Sequence, residues 1–500
     1  MAGQNSFPSD ARPLQALLQP SSIAVVGASA DPRSFGGFVL GNLRRFGYAG
    51  ALHLVSRSSD DIDGLRCVRT VAELPDALDL AVLAIPETGV LDALQTLAGK
   101  GCRAAVLFAS GYAETGDEGR GRQEVLAALA RDSGMLLLGP NCMGFTNYQH
   151  AVPLTFEALA PNPAAGQPGI GVLAQSGAMA ANLRDAFLGR GLVVPCVCST
   201  GNEASVTVED VLAHYLADAQ IRVVALYAEQ IRRPQLFLRL ARQARAAGKP
   251  IVLLMPGRSA RAREAAASHT GALASDDRVF DGVCRQAGAI RAASIEEAFE
   301  TAATFATQPR LTGNRVAVLT TAGGWGVVTA DAIHRSDLEL LALPDDLRAA
   351  IDEKLPPRWS RNNPIDFAGA ETRDTIPEVL DLVTAHPEVD AVVMLGLGIQ
   401  SNQARLMRTG AFYPDHGLER IVAYHERQDA RFAQAAAEAS ARTGKPVLIA
   451  TELAYADPDN AGPRTVRETG RLCYLSSERA VRALEHVWHD ARHRARRAGS

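Results

Sequence analysis

The sequence predicts an α/β protein built on parallel sheets, with room for about three domains in its 500 residues. Two observations carry that expectation. Short Val/Ile/Ala/Leu runs alternate with longer amphipathic Ala/Arg/Glu-rich stretches from end to end, the pattern of repeated strand–helix units. Hydrophobic residues at 47% and charged residues at 21% place the chain among ordinary globular proteins rather than disordered or fibrous ones.

Composition also excludes classes of function. Lys and Arg number 51 against 55 Asp and Glu, so the net charge of -4 leaves no basic excess for a nucleic-acid surface. The polar, proline-containing start MAGQNSFPSDARPL has no charged-then-apolar pattern, so no secretory signal is expected, and no run approaches the roughly 18 apolar residues of a membrane span. Seven scattered cysteines without CxxC spacing argue against a zinc site, no metal is expected, and a reducing cytoplasm fits best.

From about 21 to 145, the runs IAVVGA, ALHLV, LDLAVLAIP, RAAVLFAS and MLLLG predict five buried strands of a nucleotide-binding-type domain spanning 1–150. The Pro- and Gly-rich stretch PLTFEALAPNPAAGQPG is expected to be a linker. A second set follows in 151–307 with IGVLAQ, PCVCST, VVALYAE and IVLLMPG. After QPRLTGN, a third set in 308–500 comprises RVAVLTT, LELLAL, VDAVVMLGLG, RIVAYHE, PVLIATE and RLCYLSS. Sets two and three share a detail: QARAAGKPIVLL and EASARTGKPVLIA each end a helix on glycine, continue with Lys-Pro and enter a strand. They are expected to be two copies of one flavodoxin-like unit. The basic end ARHRARRAGS is expected to be a solvated helix end.

Ligands of open α/β sheets bind at the carboxyl ends of strands, which makes the strand ends the first place to look. Gly27 ends the first strand, where glycine lets the backbone turn tightly beside a phosphate, and Gly36 and Gly37 follow. The full GxGxxG spacing is absent, which weakens a plain NAD site. After the second strand comes Ser56-Arg57-Ser58-Ser59 in place of an acidic residue, which suits a phosphorylated ribose as in NADP or CoA, or else is a solvated loop. Pro86, Ser110-Gly111 and Gly139 to Cys142 load the remaining strand ends.

His269 lies in GRSARAREAAASHTGALASDD, among small residues that leave space around its ring. A neutral imidazole can attack phosphorus with one nitrogen while a carboxylate holds the other, and Glu229 at the end of VVALYAE is a suitable carboxylate. Two strand-to-helix turns, Gln175-Ser176-Gly177 and Ala322-Gly323-Gly324-Trp325-Gly326, offer backbone N–H groups that could cradle a phosphate.

The segments SIAVVGASADP, LAVLAIP, GYAETGDEGR, LLGPNCMGF, AQSGAMA, STGNEA, ASHTGALA, TAGGWGV and NPIDFAG resemble, over nearly the whole chain, the NDP-forming (ADP-forming) acyl-CoA synthetases, which include acetate–CoA ligase alpha subunits and belong to the succinyl-CoA synthetase superfamily. The resemblance implies a Rossmann-like CoA-binding domain followed by two flavodoxin-like ligase domains. It implies that CoA is held by residues such as Gly27, Ser29, Arg33, Ser56, Arg57, Pro86, Ser110 and Asn141. His269 would carry phosphate with Glu229 as its orienting partner, and Ser176, Gly177, Gly323, Gly324 and Gly326 would form the phosphate cradle. An acid or its acyl-CoA is the implied substrate, by way of an acyl phosphate. The family's ATP-grasp domain finds no counterpart here, so ATP or ADP with Mg is expected at a separate subunit of a hetero-oligomer. Trp325 departs from the smaller residue or proline often found there. Two alternatives are a CoA- or acyl-CoA-binding regulator without catalysis and an NADP-dependent oxidoreductase using the first domain alone.

Overall fold

A computed structural model describes residues 11–159, 166–257, 277–367 and 374–498, together with 259, 261 and 369. The chain divides into two compact units, Met1–Leu188 with Val193–Ala293, and Gly189–Leu192 with Ser294–Ser500.

The first unit holds two sheets. One comprises β1 (Ser22–Val26), β2 (Ala51–Val55), β3 (Asp61–Ile62), β4 (Leu65–Val68), β5 (Leu80–Leu83), β6 (Ala104–Leu107) and β7 (Leu136–Leu138). Its order is β3-β4-β2-β1-β5-β6-β7, parallel except for the short β3/β4 pair. All five strands expected from the sequence are there, and every residue of β5 and β6 is buried, as strands covered on both faces must be. The chain leaves β1 in one direction and returns on its other side at β5, so the sheet has its switch point between them.

The other sheet comprises β8 (Phe145–Asn147), β9 (Val152–Leu154), β10 (Gly169–Ala174), β11 (Cys196–Ser199), β12 (Ile221–Tyr227), β13 (Ile251–Leu254) and β14 (Ile290–Ala292), in the order β14-β13-β12-β10-β11-β8-β9. The sequence missed β8 and β9, a hairpin whose first strand runs antiparallel to β11. The boundary expected at 150 therefore falls inside this hairpin, and the stretch expected to be a linker begins with a buried strand. One hydrophobic cluster joins Ile23, Val82 and Val106 to Leu173, Val224 and Leu253, so the first two expected domains share a core.

The second unit carries β15 (Arg315–Thr320), β16 (Glu339–Leu340), β17 (Ile365–Asp366), β18 (Ala391–Leu395), β19 (Val447–Ala450) and β20 (Cys473–Tyr474), all parallel, in the order β16-β15-β18-β19-β20 with β17 beside β15. Helix Ile295–Thr307 packs on helix Ser477–Ala498 within this unit, which moves the expected boundary at 307 back to Ser294. RIVAYHE is not a strand. It lies in helix Leu418–Thr443, where 26 residues without Gly or Pro run between two left-handed glycines, Gly417 and Gly444. Of the apolar residues in RIVAYHE only Val422 is buried, while Ile421 and Tyr424 are exposed, so helix propensity between firm stops outweighs a short apolar run.

The two-copy expectation acquires a topology. β11-β10-β12-β13-β14 and β16-β15-β18-β19-β20 follow the same path, the 2-1-3-4-5 order of flavodoxin-like sheets. The shared Gly-Lys-Pro also has a shared use. Gly248 and Gly444 both take φ of +67° after their helices. Lys249 Nζ then donates to the carbonyls of Leu216 and Asp218, and Lys445 Nζ to that of His386, so that each lysine closes the end of an earlier helix, Val208–Ala217 and Thr375–Ala385 respectively. Burial holds both ammonium groups below the ordinary lysine value.

Candidate active site

Loops leave the carboxyl ends of β1, β2, β5, β6 and β7 along one edge of the first sheet, and they carry Gly27, Ser29, Ser56, Pro86, Ser110 and Asn141. Gly27 has a φ of +91°, and a Cβ there would lie 2.4 Å from the Ala84 carbonyl oxygen, so only glycine fits the turn. Helix Phe35–Arg45 starts against this loop: a Cβ on Gly36 would stand 2.0 Å from the Gly27 carbonyl oxygen, and the Ser34 hydroxyl accepts from the Gly37 amide. A helix N-terminus is thereby presented at the first strand end, as an anionic ligand requires.

The Ser56 hydroxyl is buried and has no hydrogen-bond partner, an orphan of the kind a bound polar group satisfies. Arg57 next to it is exposed, and the loop is fastened from below by Arg69, which the sequence reading missed: its Nη1 donates to the Arg57 carbonyl at 2.8 Å. Arg33 makes an exposed bidentate pair with Asp31, and Ser29 accepts from the Asp31 amide at 3.1 Å. These residues fit a phosphorylated ligand such as CoA at the switch point of the sheet.

Asn141 reaches further. It lines a cavity of about 280 Å³ together with Gln175, Ser176, Gly177 and Glu229 of the second sheet's strand ends. Gln175 organises this corner. Its Oε1 accepts from the amides of Glu229 at 2.6 Å and Gln230 at 3.0 Å, and its Nε2 donates to the Gln230 carbonyl at 2.8 Å. The turn after β12 is thereby tied to the turn after β10, and the Tyr227 hydroxyl donates to Glu229 Oε1 at 3.1 Å. Helix Gly177–Leu188 begins here, so the N–H groups of its first turn have no carbonyl partner within the helix. A Cβ on Gly177 would lie 2.2 Å from Met143 Cγ, and this close approach accounts for the glycine.

The structure adds residues that the sequence reading passed over. Glu203, in the quoted STGNEA, lines the same cavity with φ of +59° and is 4% exposed. Its carboxylate accepts from the Thr200 hydroxyl, the Val208 amide and Arg232 Nε, each at 2.9 to 3.0 Å. Burial, reinforced by the nearby Glu209 and opposed by Arg232, pushes this carboxyl up to about 7. Asn202 joins the sheets: its Nδ2 donates to Gln123 Oε1 at 3.0 Å, and its Oδ1 accepts from Asn141 at 3.3 Å. Glu114 accepts from the amides of Gly111 and Tyr112. Burial would raise Glu114, but the Asn202 hydrogen bond and these amides hold it below the ordinary value. A glutamate or asparagine at a strand end was the available signal; the left-handed backbone that aims Glu203 was not readable.

The other expected phosphate cradle belongs to the second unit. Helix Gly323–His334 starts after β15 without a side-chain cap, with Gly323 and Gly324 exposed and open space around Gly324. Gly326 is buried, and a Cβ there would meet Pro364 at 2.9 Å, so close packing accounts for this glycine. Asp366 Oδ2 lies 2.8 Å from where a Gly323 Cβ would be. Asn363, in the quoted NPIDFAG, exchanges hydrogen bonds with the backbone of Val316 and Val318 and so stands in for a ladder residue beside β15. His269 lies outside the described residues.

The chain matches a CoA binding domain over residues 21–148, a succinyl-CoA ligase like flavodoxin domain over 167–305 and a ligase-CoA domain over 316–399. It is 39% identical to a trans-feruloyl-CoA synthase of an unknown prokaryotic organism, over 75% of this chain and 54% of that one. It is 32% identical to the alpha subunit of acetate–CoA ligase [ADP-forming] I of Pyrococcus furiosus, over 76% of this chain and 82% of the subunit. The chain thus spans about half of the first relative and most of the second. Among solved structures, the Ca. Korarchaeum cryptofilum dinucleotide-forming acetyl-coenzyme A synthetase 1, in complex with phosphate and ADP, superposes with a TM-score of 0.81 at 28% identity, covering 97% of this chain and 98% of that one.

Proposed function

The chain belongs to the ADP-forming acyl-CoA ligase family, and on that premise we propose that it is the CoA-binding, phosphate-carrying part of such an enzyme, using a phosphorylated His269. The observation that carries this reading is the convergence of Asn141, Gln175, the Ser176–Gly177 helix start and Glu229 on one cavity.

The first sheet's strand ends bind CoA so that its thiol end reaches Asn141. The N–H groups at the Ser176–Gly177 helix start hold the oxygens of inorganic phosphate beside the thioester. Phosphate oxygen attacks the acyl carbon, the C–S bond breaks, and CoA leaves as the thiol with an acyl phosphate formed. The His269 imidazole attacks phosphorus, the P–O bond to the acyl group breaks, and the carboxylic acid departs as carboxylate. Glu229, pinned by Tyr227 and by the Gln175 contacts to its backbone, accepts the other imidazole N–H and fixes the reactive tautomer. The phosphoryl group then passes to ADP. In the direction of acid activation the same steps run backwards.

The nucleotide and its Mg²⁺ would be held by an ATP-grasp subunit on a separate chain, giving a hetero-oligomer; two relatives bearing the name of alpha subunits support this. Seven free, buried cysteines support a reducing compartment such as the cytoplasm, and among the described residues no helix is long and apolar enough to cross a membrane. The test uses the chain alone. Labelled inorganic phosphate with an acyl-CoA should give one acid-labile, base-stable phosphate per chain, released as ATP once ADP and the partner subunit are added. Equal labelling of His269→Ala refutes the mechanism.

A further inference from the structure

Three aromatic rings stand where the CoA-binding edge meets the cavity. Phe108 follows β6, Phe156 follows β9, and Phe35 opens the helix beside the Gly27 loop. The Phe35 and Phe156 rings stack with centroids 4.3 Å apart and planes 16° from parallel. Phe108 meets Phe156 edge-on at 5.1 Å and Phe35 edge-on at 6.3 Å. Phe108 and Phe156 line the cavity together with Cys142 and Met143, while Phe35 is 49% exposed. An aromatic ring left this open at the edge of a ligand cavity, and stacked on a second one, offers a planar apolar surface to an incoming group.

The division of the lining is equally informative. The aromatic members are Phe108, from a loop of the first sheet, and Phe156, from the segment after β9, and the first sheet also contributes the polar Asn141; the charged members, Glu203, Glu229 and Arg232, all come from the loops of the second sheet. A ligand fitting both would carry a carboxyl, thioester or phosphate end toward the second set and a flat apolar body toward the first. A two-carbon acid makes no use of such a wall.

We propose that Phe35, Phe108 and Phe156 form the acyl-binding wall and that the acid is one with a planar aromatic acyl group. This rests on the ligase reading above, because it assigns the acyl end of the same cavity. Edge and face contacts between rings favour an aromatic acyl group over an aliphatic one of equal size. The rings are therefore specificity determinants, in contact with the acyl body rather than with the reacting atoms.

The experiment compares benzoyl-CoA and cinnamoyl-CoA with acetyl-CoA as drivers of phosphate labelling of the full chain, and measures binding of each by calorimetry. Wild type should be labelled with a higher kcat/KM by at least one aromatic thioester than by acetyl-CoA. Phe156→Ala and Phe35→Ala should lower the aromatic-to-acetyl ratio of kcat/KM by about tenfold or more, the range that pocket contacts command. Phe156→Tyr should restore most of it, and melting curves confirm folding of each variant. A wild-type preference for acetyl-CoA overturns the proposal. So does an equal loss with all three thioesters, which would mean that the rings hold the pantetheine arm. If no acyl-CoA labels the chain, the ligase reading falls, and calorimetry then decides the wall by itself: tighter binding of the aromatic thioesters upholds it and equal affinities overturn it.

Discussion

The second and third sheets are built on one five-strand unit used twice. Both run in the 2-1-3-4-5 order, both begin with a strand that feeds a glycine-containing helix start, and both close a helix with the Gly-Lys-Pro turn. Their strand ends nevertheless differ in kind. The turn after β12 carries Glu229, tied to Gln175, and shares a cavity with the buried Glu203. The corresponding turn after β18 reads Gly396-Leu397-Gly398, whose last amide donates to the buried Asp429 at 3.0 Å, and the acidic residue nearest the helix start is Asp366. Topology fixes where a ligand can bind, while a few side chains on the loops decide what chemistry occurs there.

The largest expected effect separates the copies by their carboxylates. Glu229→Gln should reduce phosphate labelling by roughly a hundredfold or more, in line with the loss of a group that holds a catalytic imidazole. Asp429→Asn should act mainly on stability, because its carboxylate accepts from the backbone amides of Gly398 and Ser401. Comparable losses of labelling with unchanged melting would show that the two copies share the chemistry.

Next come the helix starts. Gly177→Ala drives a Cβ into Met143 and should cost labelling about tenfold or more, with a lower melting temperature, whereas Gly324→Ala meets open space and should leave melting unchanged or slightly raised. Kinetics and melting on both variants check the pair. If Gly324→Ala melts as low as Gly177→Ala, the open surroundings of the second start are wrong.

A smaller effect is confined to one copy and to pH. Because the Glu203 carboxyl titrates at about 7 in the folded chain against an ordinary 4.5, its stabilising contribution is complete below 4.5 and is lost as pH rises through about 7. Glu203→Gln should therefore gain on wild type in melting temperature between about pH 5 and about pH 8. A difference that stays flat with pH would remove Glu203 as the source.

The smallest effect should be nearly symmetrical. Lys249→Met and Lys445→Met each remove ammonium hydrogen bonds to helix-end carbonyls and should cost about 1–2 kcal/mol of stability, somewhat more at 249, where two such bonds are lost and the Leu216 carbonyl loses its lysine donor, whereas the His386 carbonyl keeps the Val389 amide. Denaturant titration measures both, and a marked loss of labelling from either would give the turn more than a structural role.

The sequence by itself determined the α/β class, five of the seven strands of the first sheet, the twofold repeat and the strand-end positions of the candidate site. Each of these depends on local periodicity or on a glycine whose need is local: buried parallel strands are continuous apolar runs, and a helix stop is one residue in a left-handed conformation. Tertiary structure decided the rest. Whether RIVAYHE became strand or helix depended on the helix around it, and the contact that leaves no room for a side chain at Gly326 is with Pro364, distant along the chain. The hairpin at 145–154 was invisible because its partner, β11, lies some fifty residues on. Glu203, Arg232 and the three phenylalanines were equally hidden as a group. Nothing in their spacing brings them together; they meet because two sheets share one core and turn their loops toward one cavity.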